Sequence, residues 1–189
     1  MKKGFTIVEL LIVIVVIGIL AAITVVAYNG IQQKAKNTAI IQAASQTLRS
    51  IRSYVATTDS YPFTGSGTWV CITAELQCYI DTTAVTNNAT FDTNMATVST
   101  LPKNIPASGG TRYGIIYQYT TGRTMDGAVQ PARLIYYLFG TGQNCGVPGS
   151  AAESGGPSVM VTSTTGYALA DAGGSGKTLC LVTIPGPTS

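Results

Sequence analysis

The sequence contains no histidine and little charge. Charged residues make up 10% of the 189 residues, against roughly 25% in an ordinary soluble domain. Histidine is the commonest general acid–base group and a frequent metal ligand, so catalytic and metal centres that depend on histidine are excluded. The eight acidic residues are scattered along the chain and form no obvious pair. We therefore predict that the protein is not an enzyme and has no catalytic residues, metal or cofactor.

The net charge is also small, because 11 basic residues are set against 8 acidic ones. A net charge this small gives no overall steering toward nucleic acid or anionic lipid. One pattern would suit single-stranded DNA, namely tyrosines with arginines nearby: Tyr113, Tyr117, Tyr119, Tyr136 and Tyr137 with Arg112, Arg123 and Arg133. Strand alternation, however, puts Tyr113, Tyr117 and Tyr119 on one face, which favours packing within a sheet over nucleic-acid binding.

The N-terminal region carries a long apolar stretch, Gly4 to Tyr28, with Glu9 as its one charged residue. A membrane-spanning helix needs roughly 20 mostly apolar residues, so this stretch can cross a bilayer. Lys2 and Lys3 precede it, and the positive-inside rule then places the N-terminus in the cytoplasm and the chain after Tyr28 outside. A carboxylate at this depth needs a partner. Either the positive end of the helix dipole or a group on another chain would serve Glu9.

The residues Lys3 to Leu11 read KGFTIVELL, and this motif resembles the class III signal of type IV pilins and pseudopilins. The resemblance covers about the first fifty residues. It implies that a prepilin peptidase cuts between Gly4 and Phe5 and that the new amine of Phe5 is methylated by the same enzyme. Residues 1–4 would then be a leader peptide, and the basic residues Lys2 and Lys3 would be removed with it.

The resemblance also implies a role for Glu9. Phe5 and Glu9 are four residues apart and so lie on one helix face. In the resembling family, this carboxylate attracts the amine of a neighbouring subunit during assembly. A buried ion pair adds little net stability but can fix register. We expect Phe5 and Glu9 to be the assembly residues.

The function implied is that of a structural subunit of a type IV pilus, a fimbrium serving adhesion, twitching motility or DNA uptake. The subunit would be a single-pass membrane protein until an assembly platform packs copies of it into an extracellular helical filament. The alternative is a pseudopilin of a type II secretion or competence system. A rival of another class is a surface binding domain with an ordinary signal peptide, because Val25, Val26 and Ala27 resemble a small-residue cleavage site.

Four cysteines, Cys71, Cys78, Cys145 and Cys180, lie in the outward part of the chain, where disulfides persist. Three connectivities are open. We favour Cys71 with Cys78 and Cys145 with Cys180, and the second pair agrees with the C-terminal disulfide of many pilins. A zinc site is the competing interpretation, but the spacing lacks C-x2-C pairs.

The fold class is predicted to be α+β and pilin-like, with a long helix over residues 5–57 packed on a C-terminal antiparallel sheet. Residues 5–28 form its apolar half and residues 29–57 its amphipathic half. Apolar residues recur there at helical spacing: Ile41, Ala44, Leu48, Ile51 and Val55. The helix should end before Pro62, since the residue before a proline is disfavoured in a helix.

The remainder divides into a loop-rich region, 58–110, and a sheet region, 111–189, closed by the C-terminal disulfide. About four strands are predicted from runs of β-branched and aromatic residues: 112–120, 132–139, 158–162 and 178–184.

Two short motifs in these regions resemble functional sites without meeting their full requirements. The residues Gly174 to Thr178 resemble a phosphate loop, but Asp171 stands where that pattern requires glycine, and a strand follows, so we predict a hairpin turn. Asn88, Ala89 and Thr90 form a glycosylation triplet of a kind that is common by chance in such loops.

Overall fold

The computed structural model describes residues 6–73, 77–80, 83–106, 111–122, 124–125, 128–148, 150–151 and 175–186. The chain divides into two compact units, Met1–Ala35 and Lys36–Ser189. The predicted leader peptide, Phe5 and the predicted strand 158–162 lie outside the described residues.

Helix α1 runs from Ile7 to Thr58, close to the predicted bounds. It continues through Gly18 and Gly30, and a side chain built at either position would meet nothing within 4 Å. Every described side chain between Ile7 and Ile31 is exposed. The apolar half of α1 therefore contributes nothing to the core of the isolated chain.

The second half of α1 packs against the sheet through its apolar face. Ala44, Leu48, Ile51 and Val55 are buried as predicted, and the face is widened by Ile40, Ala43 and Tyr54. The helix ends at Thr58. Asp59 follows with φ 50°, and its N–H donates to the carbonyl of Val55 at 2.9 Å. This left-handed residue is the C-terminal cap, and it ends the helix three residues before Pro62.

The main sheet is antiparallel and contains four strands and a short fifth. In spatial order they are β1 (Trp69–Cys71), β4 (Ile115–Tyr119), β7 (Ala132–Phe139), β9 (Lys177–Ile184) and the two-residue β8 (Ser150–Ala151). Strand β7 has the predicted bounds, β9 begins one residue early, and β4 is shorter than the predicted 112–120. Arg112 and Gly114 both have positive φ, so extended structure begins only at Ile115. The predicted α+β architecture is confirmed.

The chain also forms two short strand pairs and a second helix. Strands β2 (Gln77–Ile80) and β3 (Thr83–Thr86) form a hairpin, and β5 (Thr124–Met125) pairs with β6 (Ala128–Val129). Helix α2 (Ala89–Ala96) begins at Asn88, whose side chain accepts from the N–H of Phe91 at 3.0 Å. Asn88 of the glycosylation triplet is thus the N-cap of a helix.

Two clusters of buried side chains lie on opposite faces of the sheet. Leu134 and Tyr136 of β7 belong to the larger cluster, which α1 covers, while Ile135 and Tyr137 belong to the smaller one. The smaller cluster also contains Cys71, Cys78 and Val85. The β2–β3 hairpin therefore covers part of the sheet face turned away from α1, which the sequence pattern did not indicate.

Candidate assembly site

Helix α1 begins with three reciprocal hydrogen bonds between Thr6 and Glu9. Glu9 Oε2 accepts from the backbone N–H of Thr6 at 2.8 Å and from its hydroxyl at 2.7 Å. In return, the N–H of Glu9 donates to Thr6 Oγ1 at 3.3 Å. This arrangement is a capping box, in which two backbone N–H groups at the helix start are satisfied by side chains.

The capping box was missed in the sequence, although the Thr-x-x-Glu spacing is its signature. It gives the Glu9 carboxylate hydrogen-bond donors within its own chain. The carboxylate therefore does not need another subunit to be hydrogen-bonded. Both Thr6 donors use Oε2, and among the described residues nothing else bonds to the carboxylate. Oε1 is therefore the oxygen to which a further donor would bind. The positions of Gly4 and Phe5 relative to Glu9 lie outside the described residues.

Beyond the capping box, α1 presents apolar side chains on all sides. Ile7 is 83% exposed, and the exposure of Leu11, Ile14 and Ile23 is above half. Within the described chain, α1 is the one helix long and apolar enough to cross a membrane. A helix that is apolar all round has to be surrounded by lipid or by other protein. This surface and the Thr6–Glu9 box together form the candidate assembly site.

The predicted cysteine pairings are both present as disulfides. Cys71 is bonded to Cys78 and Cys145 to Cys180, and all four residues are buried. The first links β1 to β2, and the second ties the loop after β7 to β9. These bonds leave no free cysteine among the described residues for a zinc site. No cluster of three potential metal ligands occurs in the same part of the chain.

Asn37 is a structural residue that the sequence did not reveal. Its side-chain oxygen accepts from the N–H of Phe139 at 2.8 Å, and its nitrogen donates to the carbonyl of Phe139 at 2.9 Å. Asn37 is almost fully buried. Next to it, the Lys36 ammonium lies 5.4 Å from the centre of the Phe139 ring. The end of β7 is thus fixed to α1 by polar contacts that hydrophobic periodicity cannot predict.

Within the described residues, members of the tyrosine and arginine pattern form packing contacts, while Arg123 lies outside the described residues. Tyr117 and Tyr136 are fully buried, and their hydroxyls donate to the carbonyls of Phe63 and Cys145, both at 2.8 Å. Arg133 is also buried and donates to the side chain of Gln118. Burial raises the pKa of Tyr117, and nearby tyrosines add to the effect.

The motif at residues 174–178 that resembles a phosphate loop also has a structural role in its described residues, 175–178. Gly176 has positive φ, and Lys177 is the first residue of β9, not of a helix. The Lys177 ammonium donates to the carbonyls of Thr111 and Arg112, both at 3.0 Å. Burial lowers the pKa of Lys177. This lysine therefore joins two segments of the fold.

Comparison with known families gives a match to the N-terminal region. Residues 1–25 match the family described as prokaryotic N-terminal methylation motif. This motif is the class III signal peptide of type IV pilins and pseudopilins. The match covers the predicted leader and most of the apolar stretch but none of the sheet. No curated protein and no solved structure matches the chain.

Proposed function

We propose that the protein is a structural subunit of a type IV pilus, cut after Gly4, methylated on Phe5 and assembled through the apolar half of α1. One observation carries the proposal: a methylation motif matches residues 1–25, and the helix that begins within it at Ile7 exposes every described side chain as far as Ile31. The leader would be residues 1–4 and the assembly helix 5–28. Residues 29–57 would continue it into the globular part.

The physical basis is that the same apolar surface suits two environments. Before assembly it lies in the bilayer, and in the filament it contacts the helices of neighbouring copies. Lipid tails and leucine side chains are similarly apolar, so the transfer needs little net desolvation, and packing has to supply the specificity. Copies of the chain, the prepilin peptidase and an assembly platform would be its partners.

In this proposal Glu9 has two roles. Its Oε2 caps α1 through Thr6, and its Oε1 accepts from the methylated amine of Phe5 on a neighbouring subunit. Removing one partner of a charge pair in apolar surroundings costs roughly 3–5 kcal/mol, because the other charge is left buried and unpaired. The pair would therefore penalise incorrect registers and set the axial position of each subunit.

A pseudopilin is the second candidate, because the same motif marks both classes. The two disulfides and the elaborated C-terminal half favour the pilus. Such a filament would expose its β region, where adhesion or another recognition function would reside, and it would be extracellular.

The test is electron microscopy of cells expressing the chain, with gold-labelled antibody against the region after residue 58. Long labelled fibres that are absent from a deletion strain are expected of a pilus subunit. Labelling confined to the cell envelope, with no long fibres, would contradict the pilus and leave the pseudopilin.

A further inference from the structure

The point at which α1 leaves its apolar stretch is well defined along the helix axis. Ile7 and Tyr28 are 21 residues apart, so about 32 Å separates them. This length matches the roughly 30 Å hydrocarbon core of a bilayer. Tyr28 is 62% exposed and Ile31 is 66% exposed. With Ile7 at one boundary, Tyr28 lies at the other, where tyrosine is enriched in membrane proteins.

Lys34 follows at the level of the lipid headgroups. It lies six residues beyond Tyr28, about 9 Å further along the helix, and each headgroup layer is about 5–8 Å thick. Side chains of a helix lean toward its N-terminus, which here is toward the bilayer. The long lysine stem extends the reach of the ammonium in that direction. The exposed Lys34 side chain can therefore meet lipid phosphates.

The charge of this segment complements an anionic headgroup. Between Leu10 and Thr58, α1 contains four basic residues and no acidic one. Lys34 is the first of the four after the apolar stretch, and it belongs to the same compact unit as Tyr28. Lys36, the next, lies two residues further from the apolar stretch. Lys34 is thus the cation best placed for the membrane surface.

We propose that Lys34 binds the headgroup of an anionic phospholipid in the outward leaflet. Tyr28 marks the edge of the hydrocarbon core, and Lys34 binds the phosphate, which fixes the depth of the subunit before assembly. This inference rests on the proposed function only in requiring that α1 spans a bilayer. Release of this lipid is then one step in moving the subunit into a filament.

The experiment uses the full chain in detergent micelles supplied with equimolar phosphatidylglycerol and phosphatidylcholine. Native mass spectrometry counts the lipids of each kind that stay bound. One lysine near an anionic surface corresponds to about a fivefold preference, so Lys34→Gln should lower the phosphatidylglycerol preference about fivefold. Lys34→Arg should retain it. Arg49→Gln also removes one positive charge, but fifteen residues further along the chain, and should retain the phosphatidylglycerol preference.

Two results would overturn the site: an unchanged preference in Lys34→Gln, or an equal loss in Arg49→Gln, which would indicate a general charge effect. The lipid count needs neither processing nor filaments. A Lys34-dependent preference in a chain that forms no fibres would refute the pilus proposal alone, and fibres formed by a chain without that preference would refute the lipid site alone.

Discussion

At the scale of single residues, Glu9 combines capping and charge, and two substitutions separate these roles. Glu9→Gln keeps an acceptor for Thr6, because glutamine also occurs in capping boxes, but removes the charge. Thr6→Ala removes the cap, which costs about 1 kcal/mol, and keeps the charge. We expect Glu9→Gln to abolish filaments and Thr6→Ala to preserve them, as measured by the amount of subunit in sheared surface fractions. The reverse result would show that Glu9 acts only as a cap.

We expect Asn37 to contribute strongly to the free energy of unfolding. Asn37→Ala removes the Asn37 partner of the partly buried N–H and C=O of Phe139, and we expect a loss of about 2–3 kcal/mol in the free energy of unfolding. Denaturant unfolding of the full chain in detergent measures it. Gln42→Ala, at an exposed position of the same helix, is the control and should change stability by less than about 0.5 kcal/mol. Equal losses would refute the role of Asn37.

Tyr117 should make the fold sensitive to alkali. Burial raises its pKa, so above about pH 10 the unfolded chain loses this proton while the folded chain keeps it. The folded state then binds more protons, and stability falls by about 1.4 kcal/mol per pH unit for this group. The contribution is complete below about pH 10 and is lost as the pH rises further.

The Tyr117→Phe variant tests this expectation. It loses the hydrogen bond to Phe63, so it should be about 1 kcal/mol less stable at neutral pH, with a shallower decline above about pH 10. Denaturant midpoints across this range measure both effects. An undiminished decline in the variant would show that other groups cause the alkaline sensitivity.

At the scale of elements, the approach of β4 to the Cys71–Cys78 disulfide depends on Gly114. Its φ is +102°, and a Cβ there would lie 2.7 Å from Cβ of Cys78 and closer still to its sulfur. Positive φ costs a residue with a side chain about 1–2 kcal/mol, and overpacking adds about 1–3 kcal/mol. Gly114→Ala should thus destabilise the fold by about 2–5 kcal/mol in thermal or denaturant unfolding.

Gly122→Ala is the matched control for Gly114. Gly122 also has positive φ, at +76°, but a Cβ there meets nothing within 4 Å. This variant should lose only the backbone contribution of about 1–2 kcal/mol. If the two variants were equally stable, close packing against the disulfide would not be the reason for glycine at position 114.

The elements also differ in how far the sequence could predict them. The bounds of α1 followed from its apolar run, the helical periodicity after it and Pro62, and those of β7 followed from a run of β-branched and aromatic residues. Strand β4 was overestimated because Arg112 and Gly114 adopt positive φ, which a run of strand-forming residues does not reveal. The β2–β3 hairpin is short, and its burial depends on a disulfide and on the second face of the sheet. Non-local packing of this kind leaves no periodic signal in the chain.

At the scale of the whole molecule, the candidate site was more predictable than the β region. The motif around Gly4, Phe5 and Glu9 is local, so its residues were identifiable from the sequence. The capping bond to Thr6 was equally local and could have been found. The hydrogen bonds of Asn37 could not have been predicted, because its partner Phe139 is 102 residues away in the sequence.

The central claim is that the chain is processed as a filament subunit, and mass spectrometry of the N-terminus of surface-exposed material tests it most directly. The account predicts a mature chain that starts at an N-methylated Phe5, as the motif at residues 1–25 implies. A mature chain that starts after Ala27, or one that retains Lys2 and Lys3, would contradict it.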